Sequence, residues 1–124
     1  MRRPEIAAHL WEAAESARPI REYVAGQTLD DFRSDVGLRD RVERRFIRVG
    51  EALSQAAKLD PNLDEVLPEL PRIVAFRNVL IHGYATINDE VVWQVANDQL
   101  DSMISQLDQR LAADGTHEGL ESEQ

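Results

Sequence analysis

Two long stretches of this chain place apolar residues at alternating steps of three and four, and that spacing leaves little room for anything but a helical bundle. The first runs through Ile6, Leu10, Ala13, Ala17, Ile20 and Val24; the second through Leu38, Val42, Phe46, Val49, Leu53 and Ala56. Each set lines one face of an α-helix, and steps near 3.5 favour nearly antiparallel packing in an up-down bundle. A third set, Val92, Ala96, Leu100, Met103, Leu107 and Leu111, marks a final helix opened by Asn88, with Asp89 and Glu90 behind it. Strand-like alternation is confined to the short stretch Val91-Val92-Trp93. The fold class expected is all-α, with four to five helices.

Punctuation sets the boundaries. Helix one is expected over Pro4–Val24, with Pro19 kinking it or splitting off the last turn and Gly26 as a stop signal. Thr28-Leu29-Asp30-Asp31 has the makings of a cap for a short helix carrying Phe32. The long helix runs from about Asp35 to Lys58, and Gly50 inside it implies a close helix approach. Prolines 61, 68 and 71 confine residues 60 to 70 to a connection with at most one helical turn. Pro71 then suits a first helical position, and Ile73, Val74, Phe76, Leu80 and Ile81 carry the next helix to an end near Gly83. Residues 1–112 read as one helical domain and 113–124 as a disordered acidic tail.

Composition excludes several functions. Without cysteine there is no disulfide framework, thiolate metal site or cysteine nucleophile. No apolar run approaches a membrane span, and the start of the chain lacks a signal peptide's apolar core, so a cytoplasmic protein is expected. The net charge of −9 argues against a nucleic-acid partner, but the charge is unevenly spread. Six arginines (33, 39, 41, 44, 45 and 48) face only Asp35, Asp40 and Glu43 between positions 33 and 48, whereas nine acids and only Arg110 follow Asn78. Arg41, Arg45 and Arg48 fall on one helix flank. That flank is either a solvated face paired with Asp40, Glu43 and Glu51 or a track for RNA. The acidic second half could equally serve a basic partner protein. Trp11 and Trp93 are expected in the core or an interface.

Chemistry concentrates in Arg77-Asn78-Val79-Leu80-Ile81-His82-Gly83-Tyr84. His9 sits on helix one and His117 in the tail, whereas His82 stands at a helix end with Arg77 and Asn78 about a turn earlier. Taken alone, His82 could merely cap that end, with Tyr84 packed on it. Histidine takes and returns a proton near neutral pH, and the arginine fork matches phosphate oxygens. Together they suit metal-free RNA cleavage: His82 deprotonates the ribose 2′-hydroxyl and Arg77 stabilises the phosphorane, leaving a 2′,3′-cyclic phosphate and a 5′-hydroxyl. No second histidine, cysteine or nearby carboxylate pair completes a metal-ligand set, and no cofactor is expected. Arg77 and His82 lie about 140° apart around a helix. One centre then requires a long arginine reaching round, an unwound turn at Gly83, or a second copy of the helix.

The pattern Arg77-x4-His82-x-Tyr84 resembles the signature of HepT-like proteins, the HEPN toxins paired with MNT nucleotidyltransferase antitoxins. A second stretch, Arg44 to Ala52, is similar to the family's helix ending in Ile-Gly-Glu-Ala, with Val49 in place of isoleucine. Leu29 to Phe32 and Val91 to Trp93 also match the family's habit, so that the likeness covers roughly residues 5 to 112. The resemblance implies an RNA-cleaving toxin with Arg77 and His82 as the catalytic pair and Asn78 as a supporting polar group. It implies Tyr84 as the acceptor of AMP transferred by the antitoxin, and a homodimer whose motif helices share a composite site. The alternative is a noncatalytic helical dimer that binds a nucleotidyltransferase.

Overall fold

The computed structural model describes residues 4–82 and 88–113, and among them every regular element is helical. Helix α1 spans Pro4–Val24, α2 Leu29–Ser34, α3 Val36–Leu59 and α4 Leu70–His82. A continuous helical stretch follows, made of α5 (Asp89–Gln94), a π segment (Val95–Gln99) and α6 (Leu100–Ala113). No described helix is long and apolar enough to cross a membrane.

Helix α3 is the centre of the bundle, with α1 and α4 packed against it and α6 against α1. The stripe predicted for α1 is buried from Ile6 to Val24, and that of α3 from Leu38 to Ala56. Phe46 of α3 meets Phe76 of α4 edge-on, with ring centroids 5.2 Å apart, and Phe32 of α2 meets Trp93 of α5 at 5.4 Å. Aromatic pairs of this kind add about 0.5–1.5 kcal/mol to the area they bury. Trp93 thus packs on the core, as expected, whereas Trp11 lies on the exposed side of α1 at 46% exposure.

Capping follows the sequence closely. Thr28 Oγ1 accepts from the Asp31 amide at 3.0 Å and Asp31 Oδ2 accepts from the Thr28 amide at 2.9 Å, a reciprocal capping box. Asp35 caps α3 by accepting from the Leu38 amide at 3.0 Å, so the long helix starts one residue later than expected. Gly26, at φ +74°, supplies the left-handed turn that follows α1. Residues 60–69 hold one 3-10 turn, Leu63–Glu65, and α4 begins at Leu70, which makes Pro71 its second residue.

Packing refines two of the helices. Pro19 does not split off the last turn of α1, which runs unbroken to Val24. Proline removes one amide donor, but Ile20 and Val24, 0% and 7% exposed, hold the turn against the core. The final helix is not uniform either. Val92, Ala96 and Leu100 recur at steps of four, which would drift round a regular α-helix. The wider π segment, closed by the Leu100 amide on the Val95 carbonyl, keeps all three buried. Helix α6 ends at Ala113; residues 114–124, His117 among them, lie outside the described residues.

Four of the acids beyond Asn78 have partners within the bundle. Arg18 donates to Asp108 at 2.7 Å and Arg21 reaches Asp101 at 2.7 Å, running antiparallel along α1 and α6. Arg39 and Arg33 lie 3.8 and 3.6 Å from Asp89 and Glu90 of α5. Beside this seam Glu43 has its carboxyl pushed above the ordinary range, first by burial and then by Asp40 and Asp89, with Arg39 opposing. A carboxyl whose folded pKa is raised contributes stability that is present below the unfolded value and lost as pH rises through the folded one. Glu43→Gln is therefore expected to raise the melting temperature at pH 7, with the gain vanishing below the ordinary glutamate value of 4.5. Thermal unfolding of both proteins across pH 3–8, approximately, checks this.

Candidate active site

The site begins with a close approach of two backbones. A Cβ placed on Gly50 of α3 would collide with the Arg77 Cβ, lie 2.7 Å from its Cγ and 3.4 Å from the Ile73 carbonyl oxygen of α4. Only glycine lets α4 come in at this height, which is the close approach that a glycine inside a helix implies. The contact fixes the root of the Arg77 side chain.

The next residue along α3 fixes its tip. Arg77 Nη2 donates to both carboxylate oxygens of Glu51, the longer bond being 3.1 Å, and Nη1 donates to Asn78 Oδ1 at 2.6 Å. The arginine side chain is 22% exposed and that of Glu51 49%. Arg77 Nε is buried without a partner, which costs about 1–3 kcal/mol for such a donor. The arginine is thus held for its position at some cost to stability. Sequence reading offers Glu51 only as one possible partner of the α3 arginines and misses this role. The available signal was the pair Gly50-Glu51, a helix-breaking residue followed directly by an acid.

Asn78 is exposed beside Arg77, and His82 is the exposed last residue of α4, four residues beyond Asn78 on the same stripe. Two of the predicted polar groups, Arg77 and Asn78, are brought into contact. His82 lies at the helix end, about 140° round from Arg77 by helical register. Gly83 and Tyr84 lie outside the described residues. Among the described residues no group of three His, Asp or Glu side chains is placed to hold a metal ion.

Helix α4 carries apolar residues on nearly all sides yet buries only Leu70, Ile73 and Leu80. Val79 and Ile81, flanking the polar groups, are 43% and 45% exposed. A helix apolar all round is normally covered. The motif therefore lies on a surface that is itself apolar.

Replacing Gly50 by alanine should destabilise the fold by about 1–3 kcal/mol, the usual cost of overpacking, read as a lower urea midpoint. Glu51→Gln, which keeps the shape and removes the charge, should leave that midpoint nearly unchanged because the Glu51 carboxylate is itself half exposed. If Gly50→Ala melts like the parent, α4 does not depend on this approach.

Comparison with known proteins agrees with the family resemblance. Two proteins of Methanocaldococcus jannaschii, each bearing the name "Putative RNase", are similar to this chain. One is 24% identical over 111 residues, covering 88% of this chain and 89% of that protein; the other is 26% identical over 102 residues, covering 81% and 91%. No solved structure matches. The family described as Ribonuclease HepT-like matches residues 13–110, which takes in α1 from Ala13, the Gly50-Glu51 platform and the whole Arg77–His82 segment, and the chain belongs to that family.

Proposed function

We propose that this protein is a metal-independent endoribonuclease toxin, active as a homodimer and neutralised by a nucleotidyltransferase partner of the MNT type. The observation that carries the reading is the mounting of Arg77. An arginine gripped by Glu51 and Asn78 over a glycine platform is pre-organised to meet charge that develops in a transition state.

In this reading His82 takes the proton of the ribose 2′-hydroxyl as its oxygen attacks phosphorus, and Arg77 neutralises the phosphorane. The bond to the 5′-oxygen then breaks, and that oxygen takes a proton, leaving a 2′,3′-cyclic phosphate and a 5′-hydroxyl. Proton removal and proton delivery occur on opposite sides of the phosphorus, which two histidines serve better than one. A second copy of α4 packed on Val79 and Ile81 supplies the other histidine and covers the exposed apolar residues. Asn78 keeps the arginine fork oriented.

Regulation follows from charge. Attack of the Tyr84 phenol oxygen on the α-phosphorus of ATP forms a phosphodiester and releases pyrophosphate, with the phenol proton lost to solvent. The added phosphate repels the RNA phosphate that the site must bind.

The same grip on Arg77 also suits a purely structural tie between α3 and α4, as in a noncatalytic dimer that binds a nucleotidyltransferase. The two readings part on His82→Ala and Arg77→Ala. The nuclease reading expects RNA cleavage to fall at least about 100-fold, the usual scale for losing an acid–base group or a charge stabiliser, while the dimer persists in size-exclusion chromatography. EDTA should leave the wild-type rate unchanged. A His82→Ala protein that cuts as fast as its parent, or one that loses the dimer in step with activity, would overturn it. Intact mass after co-expression with the nucleotidyltransferase should rise by AMP units absent from Tyr84→Phe.

A further inference from the structure

Ten of the eleven described arginines, all but Arg110, divide into two groups. Arg18, Arg21, Arg33, Arg39, Arg72 and Arg77 each stand within 4.0 Å of a carboxylate. Arg41, Arg44, Arg45 and Arg48 form no ion pair with a described carboxylate, although Asp40, Glu43 and Glu51 lie on the same helix. All four line one cleft of about 180 Å³ between α1 and α3, with Tyr23 opposite and Asp40 as the lone acid. Arg41 lies over the Tyr23 ring, 5.4 Å from its centroid. None of the four is held by a neighbouring acid, although Asp40 shares their cleft.

Leaving four guanidinium groups side by side with only Asp40 among them and no ion pair costs self-repulsion, and the rest of the molecule, at net −9, is well supplied with acids. The cleft does not stand alone. Arg48 also borders a second cleft of about 380 Å³ further along the same two helices, walled by His9 and Glu12 of α1 and by Glu51, the holder of Arg77. A groove thus runs along α3 from Arg41 to Glu51, about 15 Å at the helical rise, and ends one side chain from the candidate active site.

We infer that this groove binds the phosphate backbone of a single RNA strand, with Arg41, Arg44, Arg45 and Arg48 anchoring phosphates away from the scissile bond. The inference rests on the ribonuclease reading for the direction of the strand. A guanidinium fork matches phosphate oxygens, and contacts to the backbone position a strand without reading its sequence. Arg41, held on Tyr23, presents its remaining edge to the cleft at little further loss of side-chain freedom. An acidic peptide would meet the same charges, but continuity with the site that handles phosphate favours RNA.

The test uses a fluorescein-labelled 2′-O-methyl oligoribonucleotide, which lacks the attacking hydroxyl, so that binding is read on the intact wild-type sequence without turnover. Arg44→Gln/Arg48→Gln and, separately, Arg41→Gln/Arg45→Gln should weaken binding about tenfold and flatten the salt dependence by about 1.4 in log–log slope, the amount for two phosphate contacts on a single strand. Arg33→Gln/Arg72→Gln removes equal charge from paired arginines outside the groove and should leave the dissociation constant within about twofold. On cleavable RNA the groove variants should raise KM and keep kcat. Unchanged binding in both groove variants, equal weakening by the control pair, or loss of affinity for poly-glutamate alone overturns the anchor. If wild type binds RNA through the groove yet cuts none, the anchor stands and the nuclease reading falls.

Discussion

Everything at the candidate site hangs on the contact between Gly50 and Arg77. Two helices that would otherwise be separated by side chains meet at a position where one has none, and the side chain of the other is the arginine. Depth of approach and direction of the fork are therefore set by one contact. Glu51 can reach the guanidinium because it follows Gly50 by a single residue. The wider bundle serves this arrangement: α1 and the Phe46–Phe76 pair brace α3 and α4, and the core residues Ile73 and Val49 fix their height.

Charge is arranged with the same economy. The acid-rich second half is partly engaged inside the bundle, where Asp108, Asp101, Asp89 and Glu90 meet Arg18, Arg21, Arg39 and Arg33. Such exposed pairs contribute little each, on the order of 0–1 kcal/mol. Their greater effect is on the shape of the field. They cancel cations on the α5–α6 side and leave those on the α1–α3 groove uncancelled.

The helices were legible because each buries a stripe, and a stripe is a one-dimensional pattern. Pro4–Val24 was read to the residue, and α3 to within one, since caps such as Thr28 and Asp35 are local chemistry. Of the two outcomes open at Pro19, a split last turn does not occur, because tertiary burial of Ile20 and Val24 outweighs one missing amide, and the sequence does not print that balance. Arg77, Asn78 and His82 stood out through their company at a helix end. Glu51 did not, because its partner is 26 residues away and its nearer neighbours are arginines that it does not bind.

Those neighbours explain why composition was a poor guide to partners. A net charge of −9 describes the far field, whereas a strand of RNA in a groove feels charges within about 10 Å, the screening length near 0.1 M salt. At that range the carboxylates of α6 are already paired, whereas Arg41, Arg44, Arg45 and Arg48 of α3 are not. In the proposed groove, net acidity and local arginines have complementary effects: overall repulsion keeps RNA from coating the surface, and attraction is concentrated at Arg41, Arg44, Arg45 and Arg48. A molecule of this charge should then bind a strand weakly over most of its surface and selectively along α3, with the strand's path set by where the acids are cancelled.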